Sequence, residues 1–175
     1  TIELYLNQTE CYSVKHPFKE FSLVYQAYQL GIPFSVCPGI GYDIIYTHPI
    51  NNGASIGQCA LQDFLYFTNT LSKIKGGVII SIGSAIMGPQ ITEKALSMAK
   101  NIALQNKKNI DDFHINVIDI QPGDWDWSQG EPPKEHPAYF LRFCKSFSRL
   151  GGEFSYLEVD NRAFVQHLYQ KLIKK

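Results

Sequence analysis

The sequence predicts an α/β fold: an open parallel β-sheet in three layers, with helices on both faces. Three observations predict it. Short β-branched runs alternate with amphipathic stretches of about 10 to 15 residues, the pattern of strand–helix–strand units. Val78 to Ile82 is continuously apolar, as expected of a central strand covered on both sides, and is followed at once by the small-residue turn Gly83-Ser84-Ala85. The 175 residues are 45% hydrophobic and 13% aromatic, enough to bury one core without disulfides or metals, so a single domain over residues 1–175 is expected.

The elements follow in order. Thr1 to Leu6 alternates apolar and polar residues and lacks the basic start and long apolar run of a signal peptide. Phe21, Val24, Tyr25 and Tyr28 fall at i, i+3, i+4, i+7, so Phe18 to Leu30 reads as a helix stopped at Gly31. Ile32 to Val36 reads as a strand closed by Pro38 and Gly39, and Tyr42 to Tyr46 as a second short strand before the turn signal Asn51-Asn52-Gly53. Leu61, Phe64, Leu65 and Thr68 share a helical face up to Leu71, and Gly76-Gly77 breaks it. After the Val78 strand, Pro89 suits the first turn of a helix carrying Ala95, Met98, Ala99 and Ile102 on one side. Ile115 to Ile120 is the next strand, and Gln121 to Pro137 is a long irregular segment of the kind that often carries function. A helix from Pro137 to Leu150, a strand from Phe154 to Val159 and a helix from Asn161 to Ile173, capped by Asp160, complete a Rossmann-like order.

Charge and cysteine content narrow the partners. Lys plus Arg and Asp plus Glu both number 16, so the net charge is zero and nucleic acid is not an expected partner. The uncharged stretch from Gly76 to Thr92 is punctuated by Gly, Ser and Pro, so no membrane span is expected and the cytoplasm is the expected location. Cys11, Cys37, Cys59 and Cys144 form no C-x-x-C pair and read as reduced thiols. A first residue of Thr rather than Met points to a processed chain or a piece of a longer one.

In such sheets ligands bind beyond the carboxyl ends of the strands, so the loops there hold the candidate residues. Gly83, Ser84 and Ala85 let backbone approach a ligand, and the helix behind them offers unpaired N–H groups to a phosphate; close packing is the alternative. Asp160, with Asn161 after it, suits a ribose acceptor or a helix cap. His48 follows Asp43 by five residues and suits a substrate contact or a loop-structuring role; without a second ligand at metal spacing, no metal site is expected. Trp125 and Trp127 flank Asp126, an arrangement for stacking on a ligand or for pinning a loop to the core. Lys145 lies one position from an apolar stripe, where lost solvation favours a nucleophilic free amine, unless the side chain reaches water.

Five blocks occur in sequence order: H-P-I-N-N-G-A-S-I-G from His48, G-G-V-I-I-S-I-G-S-A from Gly76, W-D-W-S from Trp125, F-C-K from Phe143, and Y-L-E-V-D-N from Tyr156. Together they resemble the C-terminal half of deoxyhypusine synthase, over roughly Pro33 to Leu172. The resemblance implies a homo-oligomer with sites between subunits, or a missing N-terminal half. It also implies NAD as cofactor and an amine substrate carried as an imine on a lysine. Lys145 is similar to that lysine. Gly83, Ser84 and Ala85 are similar to the glycine triplet beside NAD, Asp126 and Asp160 to two NAD-contacting aspartates, and Asn52 to a residue beside the nicotinamide. Pro89 stands where the family has a polyamine-contacting histidine, and Gln58 and Tyr139 stand where it has carboxylates. A buried ammonium needs those carboxylates, so the implied substrate is not spermidine.

Overall fold

A computed structural model describes residues 2–6 and 10–174, with side chains from Lys15 onward. The chain divides into two compact units, Thr1–Val36 and Cys37–Lys175. In the first, β1 (Ile2–Leu6) pairs antiparallel with β2 (Glu10–Val14), Ile2 opposite Val14. The predicted helix is shorter than its pattern: α1 spans Leu23–Gln29, because Ser22 caps it by accepting the Tyr25 N–H at 3.4 Å. Its end is as expected. Gly31 takes φ +65°, its N–H reaches Tyr28 O at 3.2 Å, and Ile32 N–H reaches Ala27 O at 2.9 Å, the paired bonds of a Schellman stop.

Neither short strand expected before Asn51 forms. Residues 32–36 are irregular, and Ile44–Thr47 is a 3-10 turn instead of a strand. Pro33 and Pro38 offer no N–H to a ladder, while Asp43 Oδ2 accepts the Gly39 N–H at 2.5 Å and closes the chain locally.

The second unit holds a mixed α/β arrangement around a three-stranded parallel sheet in the order β3 (Gly77–Ile82), β4 (Phe113–Asp119), β5 (Glu153–Glu158). Three helices connect or precede these strands: α2 (Gly53–Leu71), α3 (Met87–Gln105) and α4 (Arg142–Ser148). Phe113, Ile115 and Val117 point to the face that packs on Ala95, Leu96 and Ala99 of α3, Phe143, Cys144 and Phe147 of α4, and Leu71 of α2. Ile118, of opposite parity, is also fully buried, and Ile82 lines a cavity with Val165 and Tyr169 of α5 (Asn161–Ile173). The last helix therefore covers the other face at the strand tips.

Two further expectations are corrected. The Val78 segment is not central: β4 is, and β3 is an edge strand whose Val78, Ile80 and Ile82 are 55, 42 and 38% exposed. Its continuous apolarity marks a strand, but its place is set by pairing. The helix expected from Pro137 is broken as well. Pro137–Phe140 is a 3-10 turn capped by His136, whose Nδ1 accepts the Ala138 N–H at 3.2 Å, and Leu141 at ψ 73° separates it from α4. By contrast α2 begins eight residues before its apolar face does, because Asn52 Oδ1 accepts the Ser55 N–H at 3.0 Å and starts the helix at Gly53.

Candidate functional site

Lys145 sits on α4 with its side chain only 16% exposed. Its ammonium is ion-paired with one oxygen of Glu131, whose second oxygen pairs with Arg149. The same Nζ lies 3.6 Å from the centroid of the Tyr139 ring, a cation–π contact. Lys145, Tyr139, Arg142, Ser146 and Arg149 line a cavity of about 310 Å³. Among the described residues the Arg142 side chain makes no hydrogen bond or ion pair, and the residue is exposed. Hydrogen bonds from Lys145 first, and then Arg149, hold the Glu131 carboxyl below the usual carboxylate range.

The segment after β4 is what places Glu131. Trp125 Nε1 donates to Gly130 O at 2.9 Å, one residue before Glu131, and the Trp125 ring packs on His136 at 5.1 Å between centroids. Asp126 Oδ1 accepts from Ser128 N at 3.0 Å and Ser128 Oγ at 2.7 Å, and its Oδ2 accepts from Gln129 at 3.0 Å. Those bonds, the Ser128 hydroxyl foremost, lower its pKa. Trp127 is buried against Phe154 with ring centroids 5.6 Å apart. Asp126 and the two tryptophans thus serve the loop itself: they brace a turn that carries Glu131 to α4.

The other predicted residues gather at the strand tips. Gly83 adopts φ +64°, and a Cβ there would lie 2.7 Å from Asn161 Nδ2, so no larger residue fits without displacing that side chain. Asn161 Oδ1 is buried and has no hydrogen-bond partner. Asp160 caps α5, accepting from Arg162 N at 2.9 Å and Ala163 N at 3.1 Å, and pairs with the Arg162 guanidinium at 3.3 Å. The Ala163 N–H foremost lowers its pKa. Ser84 Oγ accepts the Gly88 N–H at 2.8 Å in the first turn of α3, and Ala85 packs against the core.

The remaining candidates have local partners. Asn52 caps α2. His48 Nδ1 accepts the Ile50 N–H at 3.3 Å, and Asp43 is turned to Gly39 rather than to His48. A second cavity, about 440 Å³, lies between this loop, α2 and the start of α3, with Gly39, Gly57 and Met87 in its wall. Cys37, Cys59 and Cys144 are free thiols; burial, with Asp119 adding, pushes Cys144 up to about 12. Among the described residues no group of three or more His, Cys, Asp or Glu could hold a metal ion, and no helix is long and apolar enough to cross a membrane.

The contacts therefore link Gly83 with Asn161, beside Asp160, and Lys145 with Glu131. Among the described residues, no hydrogen bond or ion pair connects Lys145 to Ser84, Asp126 or Asp160. Sequence reasoning missed Glu131, Arg142 and Arg149. The basic residues carried a signal: Arg142, Lys145 and Arg149 fall at i, i+3, i+7, one face of a helix. The chain matches no protein-family model, no curated protein and no solved structure.

Proposed function

We propose that the protein is a deoxyhypusine synthase-like transferase on a Rossmann-like sheet, carrying its substrate as an imine on Lys145. The observation that carries this reading is the Lys145 amine itself, largely shielded, with a carboxylate beside it and an aromatic face over it, in the wall of a cavity. Attack on a carbonyl requires the ammonium to release a proton, and Glu131 is the adjacent acceptor. NAD suits the strand tips, where Gly83 admits close backbone approach and Asn161 presents a buried acceptor that lacks a donor. Gly83, Ser84, Ala85, Asp160 and Asn161 would hold it there. When bound, NAD supplies a hydride acceptor able to raise an amine to the carbonyl oxidation level. Asn52, Asp126, His48 and Trp125 enter this reading through the resemblance or their loop positions, since their polar atoms hold their own turns.

Borohydride reduction in the presence of a carbonyl probe tests the reading. A reduced adduct on the peptide containing Lys145, absent from Lys145→Arg, is expected. Its absence with every probe would overturn the proposal.

A second reading, a non-catalytic nucleotide-binding module, is favoured by one feature: Glu131 bridges Lys145 and Arg149 and so fastens the loop to α4. Under it, NAD still quenches Trp125 or Trp127 fluorescence, while Lys145→Ala lowers thermal stability without any loss of adduct, none having formed.

The expectation of a homo-oligomer, or of a missing partner half, belongs to the same proposal. The open edge of β3 and the apolar side chains beside it, exposed at Val78 and Ile80, support it.

A further inference from the structure

We propose that the cavity beside Lys145 takes a small carbonyl compound bearing a carboxylate, with Arg142 fixing the anion; this rests on the lysine imine of the reading above and puts a ready-made carbonyl in place of an amine oxidised by NAD. The cavity wall presents three cations, Arg142, Lys145 and Arg149, and the carboxylate in contact with two of them, Glu131, is engaged by Lys145 and Arg149. Arg142 has no partner among the described residues, and a guanidinium offers a planar fork matched to a carboxylate. A polyamine or other cation entering here would meet the Arg142 guanidinium, with the carboxylate beside Lys145 already engaged by two cations. At about 310 Å³ the cavity lies at the lower end of ligand-pocket volumes, which suits a compound of few heavy atoms.

The chemistry balances without an oxidant. Lys145 Nζ forms a bond to the carbonyl carbon, and Glu131 takes a proton from the ammonium and returns it to the carbonyl oxygen. Two of the three ammonium hydrogens leave with that oxygen as water, and one stays on the iminium nitrogen. The carboxylate of the substrate remains unchanged on Arg142.

The test compares three probes on the full chain: glyoxylate, neutral propanal and cationic betaine aldehyde, each trapped with borohydride and read as adduct mass on the Lys145 peptide. Each yield is divided by that of free Nα-acetyl-lysine under the same conditions, which removes the probes' own reactivity. Glyoxylate should exceed propanal by about tenfold, the worth of one charge-assisted hydrogen bond, and betaine aldehyde should rank last. Arg142→Gln should collapse the glyoxylate-to-propanal ratio, and Arg142→Lys should restore part of it. Equal normalised yields, a preference for the cation, or a ratio unmoved by Arg142→Gln would overturn the anion assignment while leaving imine formation standing. No adduct with any probe would overturn the lysine reading itself, and this assignment with it.

Discussion

Glu131 is the residue on which the Lys145 cluster turns, because its two oxygens hold two cations from one helix. Its carboxyl is held low by those contacts, so the folded state favours the ionised form more than the unfolded chain does. The stabilisation is then present above the ordinary glutamate value, about 4.3, and is lost as pH falls through the depressed folded value. Melting temperatures of the native protein and of Glu131→Gln, measured across acid pH, should differ near neutrality and converge in acid. A difference that stays constant with pH would show that the carboxylate charge is not what holds the loop. None of this was legible in the sequence, since Glu131 and Lys145 are separated by an irregular loop and a helix break whose path no periodicity encodes. The basic residues at i, i+3, i+7 were legible, and so was the glycine requirement at Gly83, where a turn must follow a strand directly.

Elements were readable where local chemistry set their limits. The helix Asn161–Ile173 has the bounds its pattern predicted, because Asp160 supplies two cap bonds at its start. The helix expected from Pro137 failed because its break lies in the backbone of Leu141, a residue type that gives no warning. The strand expected at Ile32–Val36 failed because an apolar run forms a strand only beside a partner. The packing of α4 is the part with the largest energetic consequence. Phe147, 1% exposed, fills the space between α4 and the sheet, so Phe147→Ala should cost about 3–5 kcal/mol, measured by urea unfolding. Gly83→Ala should cost about 1 kcal/mol or more, since it adds strain at positive φ to a clash with Asn161. Equal stability of Gly83→Ala and the native protein would show that the Asn161 side chain has room to move aside.

At the scale of the molecule, the two edges of the sheet differ. β5 carries Glu153 and Glu158 at its ends, and self-pairing along it would set like charges against each other. β3, with the sequence GVIISI, carries no charge and no proline within its span. If the open edge is where a second copy joins, Ile80→Lys should shift the mass measured by light scattering toward the monomer at a given concentration. A native protein already monomeric under those conditions would remove the assembly part of the proposal. Its place at an edge was not legible, because continuous apolarity is common to strands buried by helices and strands buried by other chains.

Cys144 has a use of its own. Its thiol is sealed in the core and held protonated far above neutral pH, while Cys59, on the outward side of α2, is open to solvent. An alkylating reagent at neutral pH therefore modifies Cys59 at once and reaches Cys144 only when α4 lifts from the sheet. Peptide mapping of the slow label makes this thiol a built-in clock for opening of the helix that bears Lys145, readable in the native chain without any engineered probe.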